Sequence, residues 1–321
     1  ISLLTGCSLP QVSAEDRLFL PLSAEFLGSY TLPEKTFKDT AVGGLSAITY
    51  DRQNEVFYAV SDDRSSRNPA RFYTLKIDVD RTTPKPTLKQ VQIQNVITLK
   101  DESGQPFAEG TIDPEGIAVS SLKSVFISSE GDVKKGVPPL IGEFDLQTGQ
   151  LRRKLPIPEP FLPNATDLSQ TRGIQDNRGF ESLTLNASAA TSPRDDLFRL
   201  FTATESPLVQ DLEMPTAERG GRNRWLHYLL EENRASLISE HAYQLEPKPQ
   251  GAIDDGLTEI LSIDQAGHFL TLERSFGLQG FKVKLFQAAS GAASDTSTVK
   301  SLRGELQGVQ PIRKRLLVDL N

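Results

Sequence analysis

Gly43-Gly44-Leu45-Ser46-Ala47-Ile48-Thr49-Tyr50-Asp51, followed after a short polar gap by Val56-Phe57-Tyr58-Ala59-Val60-Ser61-Asp62-Asp63, is the stretch that decides the fold. Two short runs rich in β-branched and aromatic residues, joined by turn-forming residues, read as an antiparallel hairpin. The pair recurs. DPEGIAVS (113–120) precedes VFISSEG (125–131), GFESLTLN (179–186) precedes LFRLFTATE (197–205), and GLTEILSID (256–264) precedes HFLTLERS (268–275). Aligning the copies puts Ser46, Glu115, Glu181 and Glu259 at one position, 69, 66 and 78 residues apart, and Asp62, Glu130, Glu205 and Glu273 at the other. Such intervals exceed solenoid repeats and suit a four-stranded propeller blade with its loops.

Each copy carries material for two further strands. RFYTLKIDV and VQIQNVITL follow the first pair, LIGEFDL and QLRRKLPI the second, RWLHYLLEE and ASLISEHAYQL the third, FKVKLFQAA and RKRLLVDL the fourth. The Leu/Glu-rich pieces also suit helices. The expectation is an all-β propeller. EFLGSYTL (25–32) precedes the first copy as VQIQNVITL precedes the second, so it reads as the outer strand of a last blade whose other strands lie beyond Asn321. This predicts five blades, with six as the alternative and the last one incomplete. AASGAASDTS (288–297) reads as a loop tip without function, while 156–177 and 206–223 are loops able to cover the channel.

Hairpin geometry makes the two acidic positions of each copy neighbours. If every blade presents its first strand to the axis, Ser46 and seven carboxylates meet at one mouth. Crowded like charges need cations or donors, or else they retain protons. Arg64, Arg178 and Arg274 stand beside the acids and suit anionic substrate groups. Calcium is the metal such oxygen ligands favour. The plainer alternative is that the acids bond to backbone N–H groups and lock blades together. Glu115, Glu181 and Glu259 are assigned to channel structure, and Asp62, Asp63, Glu130, Glu205 and Glu273 to metal binding and catalysis, with Ser46 on the substrate.

A formal net charge of −7 disfavours nucleic acid as a partner, and no apolar run is long enough to span a membrane. His227, His241 and His268 lack metal-ligand spacing, and Gly44-Leu45-Ser46-Ala47-Ile48 lacks the second glycine of a serine-esterase elbow. Leu3-Leu4-Thr5-Gly6-Cys7 looks like a bacterial lipobox, with Cys7 as the lipidated residue. Residues 1–7 are therefore expected to end a lipoprotein signal, 8–20 to form a tether, and 21–321 to form a single propeller domain. The implied location is the bacterial cell envelope, periplasmic or extracellular, with the membrane touched only through the lipid; a monomer is expected.

The quoted pairs, spread from Gly43 to Phe276, resemble the phytase-like family, also called the esterase-like activity of phytase family. The resemblance implies likeness to propeller phytases, which hydrolyse phosphomonoesters with calcium. A phosphorylated or ester small molecule is then the expected substrate, Ca²⁺ the expected cofactor, and a non-catalytic envelope propeller binding a small ligand or protein the alternative.

Overall fold

The computed structural model describes residues 17–186, 197–214, 216, 218–232, 234–278 and 280–321. After a small hairpin of β1 (Thr36–Phe37) and β2 (Thr40–Ala41), the described strands form four antiparallel sheets of four strands each, every sheet ordered as the chain runs. The first holds β3 (Leu45–Asp51), β4 (Val56–Ser61), β5 (Arg71–Asp80) and β6 (Thr87–Thr98). The second holds β7 (Pro114–Ser120), β8 (Ser124–Ser129), β9 (Leu140–Asp145) and β10 (Leu151–Lys154). The third holds β11 (Phe180–Leu185), β12 (Phe198–Thr204), β13 (Arg222–Leu230) and β14 (Ala235–Gln244). The fourth holds β15 (Ala252–Ser262), β16 (His268–Gly277), β17 (Gly280–Ala289) and β18 (Arg313–Asp319). First strands pack in series, β3 against β7, β7 against β11 and β11 against β15, which makes them the inner wall of a propeller. No seam of comparable extent joins β15 to β3 among the described residues.

The described residues thus make four blades, not the five or six expected. Each four-strand set is complete in itself, and residues 25–32 find no strand partner. That segment runs exposed past the first blade, with Phe26 73% exposed, Glu25 paired to Lys85 at 2.7 Å and Gly28 passing Leu88. Its place before the first copy made it look like an outer strand; a strand also needs a partner for its backbone groups, and the described residues supply none.

The core lies in the seams between blades. Val60, Phe72, Val125, Ile127 and Phe144 fill the first seam, Phe126, Phe180, Leu183, Leu226 and Tyr228 the second, and Phe201, Trp225, Tyr243, Leu257 and Phe269 the third. β13 serves two seams at once, with Trp225 on one face and Leu226 and Tyr228 on the other. A strand buried on both faces loses the polar/apolar alternation, which is why RWLHYLLEE also read as helical. Hairpin ends are closed by aspartates: Asp51 Oδ1 accepts from the N–H groups of Gln53 and Asn54, and Asp264 Oδ1 from those of Ala266 and His268.

The segment 288–297 is no free tip. The connection from β17 to β18 folds back over the third blade, where fully buried Thr296 donates to Glu240 Oε1 at 3.0 Å and its N–H reaches the Glu240 carbonyl. Arg224 sits at the centre, donating to Asp211 at 2.7 Å, to Glu240 at 2.5 Å and to the Val299 carbonyl at 3.0 Å. All three charged side chains are at most 3% exposed. Removing the cation strands two buried carboxylates, so Arg224→Ala should lower the unfolding free energy by about 3–5 kcal/mol in urea titration. Arg172→Ala, which breaks the exposed Arg172–Glu159 pair, should cost less than ~1 kcal/mol. Equal midpoints for the two variants would contradict this reading of the network.

Candidate acidic site at the blade starts

The site is built by one irregularity repeated in every blade. The register between first and second strand slips at Ser46 in β3, at Glu115 and Gly116 in β7, at Glu181 in β11 and at Thr258 in β15. Such a bulge inserts a residue into one strand and re-aims its side chain. Opposite, the chain leaving the second strand turns back onto the residue two positions before the bulge. Asp62 N–H donates to the Gly44 carbonyl at 2.7 Å, Glu130 to that of Asp113 at 3.1 Å and Glu205 to that of Gly179 at 2.7 Å. In the fourth blade Arg274 faces Gly256. Glycine is needed there: a Cβ on Gly256 would lie 2.5 Å from Glu205 Cγ.

The register corrects the alignment of the fourth copy by one residue. Thr258 and Arg274 occupy the repeated positions, and neither Glu259 nor Glu273 does. Glu273 lies in the seam between β14 and β18, where it accepts from Tyr243 Oη at 2.8 Å, from Glu246 N–H at 2.9 Å and from Lys314. Glu259 accepts from its neighbour Ile260 N–H at 2.8 Å, and desolvation raises its carboxyl to about 8. Asp63 is also reassigned. Successive side chains on an extended chain point to opposite sides, so only Asp62 of the two faces the ring. Asp63 is buried against Arg71 at 2.8 Å and caps the N–H groups of Ser66, Arg67 and Asn68. Desolvation opposes its ionisation, but those bonds win and hold its pKa below the usual range. Asp63 and Glu273 are therefore held in closed pairs, outside the groups of carboxylates that converge.

The remaining acids converge. Carboxylate oxygens of Glu115, Glu130 and Glu181 lie within 4.8 Å of one another, and Glu115 shares a second such group with Asp62 and Asp113. Ser46 Oγ donates to Glu115 Oε2, and Gly179 N–H donates to Glu130 Oε1 at 2.5 Å across the seam. Desolvation first, and then mutual repulsion, push Glu115 and Glu130 well above the usual carboxylate range. Desolvation and Glu205 raise Glu181 to about 8. Glu205 is raised to about 7, again chiefly by desolvation, with Arg274 opposing. Asp113 is pushed up to about 6 by desolvation despite Arg64, and Asp62, the most exposed member, is also raised by desolvation.

Three arginines rim the cluster, each about one-third exposed on its side chain. Arg64 pairs with Asp113 at 2.5 Å and reaches Asn177, Arg178 pairs with Asp254 at 2.9 Å, and Arg274 pairs with Glu205 at 3.0 Å. Their fork geometry leaves donors for an incoming anion. Asp113 escaped the sequence reading because the other copies carry glycine at its position; the aligned Asp-Pro-Glu-Gly was the available signal. Of the histidines, His268 pairs with Asp264 at 2.6 Å, while His227 and His241 share the Ser239 hydroxyl, all outside this cluster. Cys7 lies outside the described residues.

The sequence profile of the family described as "Phytase-like: Esterase-like activity of phytase" matches residues 40–321. No curated protein matches the sequence. Among solved structures, the chain is similar to the periplasmic gluconolactonase PpgL of Pseudomonas aeruginosa, at 11% identity and a TM-score of 0.37, covering 86% of this chain and 73% of that one. It is likewise similar to hydrazine synthase of Kuenenia stuttgartiensis, at 8% identity and a TM-score of 0.33, covering 82% and 67%. Nothing of their chemistry transfers at such identities. The repeated pairs and the extent of the profile match together place the chain in the phytase-like family.

Proposed function

We propose that this chain is a calcium-assisted phosphoester hydrolase working at the acidic mouth, tethered to the bacterial cell envelope through Cys7. The observation that carries the reading is the convergence of Glu115, Glu130 and Glu181, joined through Glu115 to Asp62 and Asp113. A hard divalent cation fits this donor set, which is all oxygen. Asp113 supplies the test: it is 1% exposed, and its Oδ1 has no hydrogen-bond donor. A buried carboxylate oxygen without a donor is costly unless something else satisfies it. Bound there, calcium would supply Lewis acidity toward a phosphoryl oxygen and a more acidic water.

The chain's own groups supply the rest. Arg64, Arg178 and Arg274 orient the phosphoryl group and offset its charge. Glu205, raised to about 7, holds or takes a proton near neutral pH, where an acid–base group is most effective. A second reading, a propeller that only binds its ligand, is favoured by the Gly179–Glu130 and Ser46–Glu115 bonds, which join blades as structural acids do. Phosphate release from p-nitrophenyl phosphate and phytate, with calcium or with EGTA, separates the two. Calcium-dependent release is expected; binding of calcium with no release from either ester would favour the second reading.

The raised carboxyls also set a pH dependence. A carboxyl whose folded pKa exceeds its unfolded value of about 4.3 binds more protons when folded. Its favourable contribution is complete below that value and is lost as pH rises through the folded one, here about 7 for Glu205 and about 8 for Glu181. His227, lowered to about 4 mainly by desolvation, acts oppositely, but only below about pH 6.5. Between pH 6.5 and 8.5 in EGTA, Tm should therefore fall, and millimolar calcium should flatten the fall. Parallel slopes with and without calcium would contradict the site. Glu181→Gln should abolish the calcium-induced rise in Tm. Glu273→Gln should instead lower Tm by several degrees in both conditions while leaving kcat within about twofold.

A further inference from the structure

A cavity of about 630 Å³ opens in the seam between the third and fourth blades, far from the acidic mouth. The mouth lies where β11 and β15 begin; the cavity lies at the turn that ends β15, with Phe269 beyond it. Its opposite wall is the face that β12 and β13 turn to the fourth blade. Strand pairing sets Phe201 opposite His227 and Arg199 opposite Leu229, and alternation puts them on the face that also carries Trp225. Toward the mouth this face is sealed, with Trp225 fully buried against Phe269 and Tyr243. Away from the mouth the cover thins: His227 and Leu229 are half-buried, and Arg199 is exposed.

Hydrogen bonds fix what His227 offers to the cavity. A neutral imidazole carries one N–H, and His241 uses its own, at Nδ1, on the Ser294 carbonyl at 2.8 Å. Its bare Nε2 then accepts the Ser239 hydroxyl proton at 3.0 Å. Ser239 Oγ has only lone pairs left for His227 at 3.4 Å, so His227 Nδ1 carries the proton and Nε2 is bare. Desolvation first, and Arg199 next, lower the His227 pKa to about 4, which keeps the ring neutral at pH 7. Among the described residues its Nε2 has no partner, and neither has the Nε1–H of Trp225, two residues along the same strand. One needs a donor and the other an acceptor, and a single hydroxyl is both. Asp264, the carboxylate in the lining, is taken by His268 at 2.6 Å, so the guanidinium of Arg199 sets the charge of the cavity.

We infer a ligand site here for a small aromatic acid that carries a hydroxyl across the ring from its carboxylate. The hydroxyl donates to His227 Nε2 and accepts from Trp225 Nε1, the ring lies among Phe201, Leu229 and Phe269, and the carboxylate meets Arg199. Arg199 stands one row beyond Phe201 and His227, roughly 6.6 Å along the strand, which suits a single six-membered ring with substituents on opposite carbons. The site shares no residue with the mouth and stands independently of the hydrolase reading.

Trp225 is the single tryptophan of the chain, so its fluorescence reports on this cavity. Titration with para-hydroxybenzoate should shift the emission along a saturable curve, with benzoate and para-methoxybenzoate binding about tenfold more weakly for want of the hydroxyl proton. His227→Phe, which keeps a ring stacked on Phe201, should bring para-hydroxybenzoate down to the affinity of benzoate and leave benzoate unchanged. Arg199→Gln, at an exposed position, should weaken both acids about tenfold at an unaltered Tm. No saturable shift with any of the three acids, equal affinities for them, or a hydroxyl preference that survives His227→Phe would overturn the inference. Curves that change when EGTA replaces calcium would overturn it too, by placing the binding at the mouth.

Discussion

Like charges held together out of water set the terms for this molecule. Glu115, Glu130 and Glu181 bring oxygens within 4.8 Å of one another at the start of the inner strands. Desolvation makes each ionised form expensive, and every neighbour adds to that cost. The assembly therefore keeps protons or takes a cation. Its position is fixed by packing that has nothing to do with charge: apolar seams between blades hold the strands, bulges turn one residue per blade toward the axis, and glycine at 44, 179 and 256 lets the returning chain close on it. Asp113, standing where the other blades have glycine, adds a carboxylate instead, so the second blade contributes the most acid.

Ion pairs elsewhere in the chain have a different task. Arg224 with Asp211 and Glu240, Arg71 with Asp63, and Lys314 with Glu273 are closed pairs with little exposure, each carboxylate answered by a neighbouring cation. The mouth arginines are one-third exposed and keep unused donors toward solvent. Closed pairs specify how outer strands and loops dock; the open ones face whatever arrives. That contrast separates anchoring acids from the candidate site more reliably than residue type.

Much of this could be read from four copies of one hairpin. The strand pairs, the four-stranded blades and the gathering of Glu115, Glu130, Glu181 and Glu205 follow from repetition and hairpin geometry, and the family from the same segments. Errors arose where the repeat was matched by chemistry instead of backbone. Thr258-Glu259 invites alignment of the glutamate, yet counting from Gly256 as from Gly179 selects Thr258, and Arg274 in place of Glu273. Asp62 and Asp63 are alike in sequence but point apart in an extended chain. The described residues hold four blades where five or six are expected from the sequence, and residues 25–32, which read as a last outer strand from their place before the first copy, pair with no strand among them.

Raised carboxyls so close together retain protons until a cation replaces them. Calcium titration of the chain at pH 7 by isothermal calorimetry, in buffers of different ionisation enthalpy, counts the protons released on binding. Binding accompanied by net proton release, diminished in Glu181→Gln, is expected. Binding with no proton exchange, or no binding at all, would contradict it.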